Sequence, residues 1–258
     1  NELGEASTQK LFDEIEVPLL RVLADMELEG INLDVSFLQS LSTDLDKDIL
    51  RLKKDIYESA GIEFNIASPK QLGEVLFDTM KLVAKPKKTK TGQYSTAEDV
   101  LSALAKEHKI IRDVLQYRGL AKLKSTYVDA LPLQVEEITG RVHTDYMQTV
   151  AATGRLASNN PNLQNIPIRT ERGREVRKSF IPRNNDYVLL AADYSQIELR
   201  IIAALSKEET MIKAFKDGED IHASTAAKVF NVPLEEVTRE QRGNAKTVNF
   251  GIIYGVSA

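Results

Sequence analysis

The sequence has no cysteine, no tryptophan and only three histidines among its 258 residues. Without cysteine there can be no disulfide framework and no thiolate metal centre. The scattered His108, His143 and His222 argue against a histidine-rich metal site. No apolar run approaches the ~20 residues needed for a helical membrane span. The opening residues also lack the basic-then-apolar pattern of a secretion signal. No internal repeat is visible. Charge of one sign is scarce too: 38 acidic residues face 34 lysines and arginines, a net charge of −4. That balance excludes a disordered polyelectrolyte, and it requires any nucleic-acid contact to come from a local basic surface. What is present is a 42% hydrophobic content, enough to build a core in one large domain or two to three subdomains.

Along the chain, Leu11, Ile15, Leu19, Leu20 and Leu23 recur at helical spacing, and Gly30 ends that helix before a short extended piece at 31–33. A long helix follows from about Asp34 to Ala60. Its stripe of Leu38, Leu41, Leu45, Ile49 and Leu52 is surrounded by charge, which suggests a projecting hairpin arm. Ser68 and Pro69 have the residue types of a cap and first position for a helix over 70–80. The segment 81–92 then carries five lysines (Lys81, Lys85, Lys87, Lys88 and Lys90) and no acid. It is expected to be an exposed flexible loop, either a solvated linker or a contact to a phosphate backbone. Helices over about 97–106 and 109–128 close this region near Pro132. Val142 to Val150 alternates like a strand, 153–169 is turn-rich, 172–182 reads as a basic strand, and Tyr187 to Ala192 reads as a buried strand. From Gln196 onward the pattern is helical, with breaks near Gly218 and Pro233. The class expected is α+β: helices first, a small sheet in the middle, helices at the end.

Two segments carry groups suited to chemistry. In the first, the apolar run ends in Asp193, followed by Tyr194, Ser195, Gln196, Ile197, Glu198, Leu199 and Arg200. A carboxylate ending a buried strand is a favoured holder of a hard cation such as Mg²⁺, and without a partner it is costly. Ser195 and Glu198 also have capping-box spacing, which could start the next helix with no chemical role. In the second, a helix expected over 238–254 sets Arg242, Lys246, Phe250 and Tyr254 at steps of four. At 3.6 residues per turn each step drifts only ~40°, so two cations and two aromatics share one stripe. Such a face can clamp a phosphate chain and stack a sugar or base. The small residues Gly243, Ala245 and Gly251 lie off the stripe, as close packing behind it would require.

Together these segments resemble motifs A and B of family A DNA polymerases, the bacterial DNA polymerase I family. Residues 122–127, Thr153 to Leu156, Asn162 to Pro167 and Asp220 to His222 are similar to other stretches of that family and occur in the right order. The resemblance implies a right-hand polymerase, with palm residues up to about 33 and over 133–205, a thumb at 34–132 and the start of the fingers at 206–258. It implies Asp193 and Lys246 as catalytic residues, with Asp193 and Tyr194 at two Mg²⁺ ions in the complete enzyme. Arg242, Lys246 and His222 would hold the triphosphate, Phe250 would pack on the sugar, and Gln196 would also bind nucleotide. Glu198 would block a ribose 2′-hydroxyl, and Tyr254 would lie near the templating base. Arg155, Gln164 and Asn165 would contact primer and template, and Lys87, Lys88 and Lys90 the DNA backbone. The partners implied are primer-template DNA and deoxynucleoside triphosphates, with no membrane. The setting implied is replication and repair in a bacterial cytoplasm, at the nucleoid.

The family's motif C, a His-Asp-Glu hairpin, has no counterpart here: His143 is followed by Thr144 and His222 by Ala223. The chain is therefore expected to be roughly the amino-terminal two thirds of a polymerase, inactive alone. It could associate with itself through an uncovered palm face or hold its last ~50 residues loosely. The alternative is a DNA-binding or structural module without turnover. Asp25 and Glu27 have the spacing of an exonuclease carboxylate pair, but no other nuclease motif accompanies them, and a structural role is expected.

Overall fold

The computed structural model describes residues 8–168 and 170–253 and divides into two compact units, Asn1–Leu189 and Leu190–Ala258.

The first unit is dominated by the helix Val35–Ala60. Asp34 caps it by accepting from the Phe37 amide, and Gly61 ends it in a left-handed conformation that glycine adopts without penalty. Leu38, Leu41, Leu45 and Leu52 lie in one core with Leu120, Leu123 and Val128; Ile56 lies in a second with Ile110, Ile111 and Val114. The long helix thus runs antiparallel to the helix Lys109–Leu123, start against end, and the expected hairpin arm forms. Helix Pro69–Glu74, capped by Ser68, continues as a π-helical turn and contributes Leu72 and Leu76 to the second core. Helix Glu98–Leu104 adds Leu101. The lysine-rich loop is exposed, as expected, but it is folded back on itself. Ser95 N donates to Lys87 O, Thr89 N to Gln93 O, and Leu82 and Val83 pack on the second core.

At the base of the arm, helix Val17–Glu29 stops at Gly30. A Cβ at Gly30 would come within 2.7 Å of the Val142 carbonyl, so the close approach needs glycine. Two small antiparallel pairs follow, Asn32–Leu33 with Phe180–Ile181 and Asp145–Met147 with Ala157–Asn159. The strand expected over 142–150 is shorter than its alternation suggested. Its partner is three residues long, bounded by the turn at Gly154 and by Pro161, which has no N–H to extend the ladder. The basic strand expected over 172–182 is instead a helix, Glu171–Arg177, before the strand Phe180–Ile181. Thr170 caps it through the Gly173 amide, Glu171 lies in its first turn, and Arg174 and Arg177 lie in its last, all favouring a helix. Arg172 ties it to the long helix through Asp48 at 2.6 Å.

The strand expected over 187–192 does not form. Among the described residues no strand pairs with it, and Val188 and Leu190 are 87% and 89% exposed. Apolar character alone cannot make a strand where no neighbour satisfies its backbone.

In the second unit, helices Ile197–Ser206, Glu209–Lys216, Ile221–Phe230 and Arg239–Ile253 follow one another. The breaks fall at Gly218 and around Pro233, as expected. The last helix begins with a reciprocal cap: Gln241 N donates to Thr238 Oγ1, and Thr238 N donates to Gln241 Oε1. Ala226 and Ala245 are fully or almost fully buried, and their small side chains let the last two long helices approach. Gly243, expected to pack behind the stripe, is exposed, and a Cβ there would meet nothing within 4 Å. Among the described residues, no helix is long and apolar enough to cross a membrane.

Candidate nucleotide and DNA sites

A cleft of about 500 Å³ lies within the second unit. Its walls bring together Asp193, Tyr194, Gln196 and Glu198 from the segment before and at the start of helix Ile197–Ser206. His222 joins them from helix Ile221–Phe230, and Arg242, Lys246 and Phe250 from the last helix. Tyr254 lies outside the described residues.

Local chemistry explains how these groups are held. The helix after Asp193 starts at Ile197, and its cap is Gln196 in a left-handed conformation with no side-chain cap bond. The Ser195–Glu198 capping box is therefore not what starts it. Arg200 donates to Ser195 O at 2.9 Å and stacks on Phe215, which fixes the turn from below. On the last helix, Lys246 Nζ lies 5.9 Å from the centroid of the Phe250 ring, so the stripe read from the spacing is physically continuous. His222 packs its ring 5.7 Å from that of Phe250. Asn249 Nδ2 lies 3.1 Å from both His222 Nδ1 and Thr225 Oγ1; with a neutral ring that contact leaves the proton on Nε2.

The cleft is divided electrostatically: Asp193, Glu198, Glu219 and Asp220 line it together with Arg200, Arg242 and Lys246. Arg242 and Lys246 bring two cations to one wall of the cleft. Burial pushes His222 below its usual pKa; Asp220 opposes the push, while Arg242 and Lys246 reinforce it. The imidazole is thereby kept neutral at pH 7, able to donate one N–H without adding charge. Asp220 binds Arg242, Gln196 and two backbone amides. Burial would raise its carboxyl, but the Ala223 amide and the Arg242 guanidinium bring it below the ordinary value. Sequence reasoning gave no role to Asp220 or Asn249. An aspartate immediately before a helix is the signal that could have found the first.

The DNA-facing candidates all lie in the first unit. Asn165 lines a groove of about 1040 Å³ with Lys122, Thr126, Tyr127 and Arg172, and the Tyr127 hydroxyl donates to its carbonyl at 2.6 Å. The Gln164 amide is used inside its own loop, accepting from Ser158 N and donating to Leu156 O. Arg155 is exposed on the same stretch. Lys87, Lys88 and Lys90 are exposed; Lys87 pairs with Asp99 at 3.7 Å, and Lys88 lies over the Tyr94 ring. Surface pairs of this kind hold a lysine only weakly. Glu27 accepts from the Tyr146 amide at 2.6 Å.

The first unit is thus a helical arm on a small base with short strands, and the second brings cations, carboxylates and an aromatic ring to one cleft. The sequence profile of DNA polymerase family A matches residues 35–258, and the chain belongs to that family. It is 49% identical over 257 residues to DNA polymerase I of Geobacillus stearothermophilus, and 51% identical over 253 residues to that of Pseudomonas aeruginosa. Those alignments take in 100% and 98% of this chain but only 29% and 28% of the relatives. Among solved structures, the POL domain of Pol1 from M. smegmatis, in complex with DNA primer-template and dNTP, matches with a TM-score of 0.89 and 43% identity. The match covers 99% of this chain and 45% of that one, so the chain spans less than half of that structure and under a third of those curated relatives.

Proposed function

We propose that this chain works as part of a DNA-directed DNA polymerase, adding deoxynucleotides to a primer 3′-hydroxyl under the direction of a template. In this reading 34–132 is the thumb, 1–33 and 133–205 belong to the palm, and 206–258 begins the fingers. The observation that carries it is the convergence of Asp193, Glu198, His222, Arg242, Lys246 and Phe250 on one cleft. Arg242, Lys246 and the Nε2–H of His222 bind the triphosphate, whose leaving pyrophosphate gains charge as the bond to it breaks. Phe250 packs on the sugar, Gln196 lies beside it, and Glu198 fills the space a 2′-hydroxyl would need. The family resemblance would give Tyr254 a role near the templating base. Primer and template lie along Arg155, Gln164 and Asn165, with duplex backbone at Lys87, Lys88 and Lys90. Such an enzyme would act in replication and repair at a bacterial nucleoid.

Magnesium fits only in part. Asp193 is a carboxylate on the cleft, with Tyr194 beside it, yet no three His, Asp or Glu side chains gather as a metal site among the described residues. Asp193 and Tyr194 would supply oxygens to magnesium, whose charge would offset that of the phosphates. The 258 residues contain no His-Asp-Glu segment to add a second carboxylate. The isolated chain should accordingly not extend primers.

The test is primer extension by the complete polymerase and by its Lys246→Ala variant, beside the isolated 258-residue chain. The variant should lose about a hundredfold or more in kcat/KM, as removal of a charge-stabilising donor does, while primer-template affinity stays unchanged. Wild-type rates in Lys246→Ala would remove the cleft from catalysis. Robust extension by the isolated chain would show that no second carboxylate is needed, and primer-template binding by that chain together with wild-type rates in Lys246→Ala would favour the binding-module reading.

A further inference from the structure

None of the roles above involves Asp220, yet its carboxylate ties together the three elements that carry the nucleotide-site candidates. Oδ1 accepts from Gln196 Nε2 at 3.1 Å, from His222 N at 2.9 Å and from Ala223 N at 3.1 Å. Oδ2 accepts from Arg242 Nε at 2.8 Å and lies 2.8 Å from its Nη2 in the same ion pair. One side chain therefore caps the helix that begins beside His222, holds the amide at the start of helix Ile197–Ser206, and orients the first cation of the last helix.

The geometry at Arg242 decides what this means. A guanidinium has five N–H donors in a rigid fork, and Asp220 engages one on Nε and one on Nη2. The two on Nη1 and the second on Nη2 remain for an anion. Arg242 also lines the cleft, as does Asp220. A carboxylate in an anion site repels the ligand unless it acts through a neighbour, and here the ion pair that Oδ2 makes with Arg242 offsets its charge.

We infer that Asp220 is a positioning residue for the triphosphate: it grips Arg242 by one edge of the guanidinium, leaving the other edge for the phosphates, and sets His222 at its helix start. This rests on the proposed nucleotide site. Asparagine at 220 keeps a good cap but loses the charged hold on Arg242, whereas alanine loses both.

The test is steady-state incorporation by the complete polymerase as a function of dNTP concentration, for the parent, Asp220→Asn, Asp220→Ala, Arg242→Ala and the Asp220→Asn/Arg242→Ala pair. Asp220→Asn should raise the KM for dNTP about tenfold, at the low end for partners that orient ligating side chains, with kcat within about twofold. Asp220→Ala should raise it further. In the Arg242→Ala background, Asp220→Asn should add less than about twofold, because its effect travels through Arg242. A purely structural role would not produce that split or that coupling. An unchanged or lowered KM in Asp220→Asn, with KM raised in Arg242→Ala, would overturn this inference alone, as would a full tenfold effect persisting without Arg242. A wild-type KM in Arg242→Ala would overturn the nucleotide assignment along with it.

Discussion

The helical arm of residues 35–128 and the unit at 190–258 are made of similar helices held by different means. The arm is held by large aliphatic side chains: Leu38, Leu45, Ile56, Leu72, Leu76, Leu101, Ile111 and Val114 are all fully buried. Most of its charges stay outside, with Asp113 buried and paired to Lys109 as the exception. Among the described residues of the second unit the buried side chains are fewer, and alongside Leu199, Ile221 and His222 they include the small Ala203, Ala226 and Ala245. Polar bonds to Asp220, Asn249 and the Thr238–Gln241 cap do much of the joining there. The difference shows how one chain can hold one set of helices by aliphatic burial and another by polar bonds around a cleft.

That contrast can be tested by matched truncations. Leu45→Ala, in the middle of the arm, should destabilise the protein by about 2–5 kcal/mol in denaturant unfolding. Leu205→Ala, on a side chain that is 78% exposed in the second unit, should change stability by about 0.5 kcal/mol or less. Equal costs at the two positions would erase the distinction.

A smaller effect should appear in the choice of sugar. In the complete polymerase, Glu198→Ala should raise ribonucleotide use relative to deoxynucleotide use by about tenfold, read as the ratio of kcat/KM values. A fixed ratio would move Glu198 from the ligand side of the comparison to the structural side.

The smallest effect belongs to the arm's loop. Replacing Lys87, Lys88 and Lys90 with alanine should flatten the dependence of log affinity for duplex DNA on log salt, by about 0.9 for each phosphate that is no longer neutralised. The melting temperature should hold, since all three side chains are exposed. An unchanged slope would make the loop a solvated linker.

The arm was the more legible region in the sequence. Its leucine stripe, the approximate bounds of its long helix and its cap at Ser68 follow from periodicity and turn chemistry that act within a few residues. The spacing of Arg242, Lys246 and Phe250 likewise located one wall of the cleft. What escaped were features decided by distant partners. The run at 187–192 has the composition of a buried strand, but pairing depends on a neighbour that the run itself does not encode. At 172–182 the basic residues drew attention away from Thr170 and Glu171, which start a helix. Asp220 looks like an ordinary cap until its second oxygen is seen on Arg242.

Gln196 has a further consequence for anyone engineering heat resistance into this unit. Its backbone sits at φ 54° and ψ 36°, a left-handed conformation that costs a residue with a Cβ about 1 kcal/mol or more. Glycine would relieve that cost, and a screen for higher melting temperature would favour it. The same change would delete the amide that reaches Asp220. Position 196 is thus a place where a thermostability screen and an activity screen should select different residues.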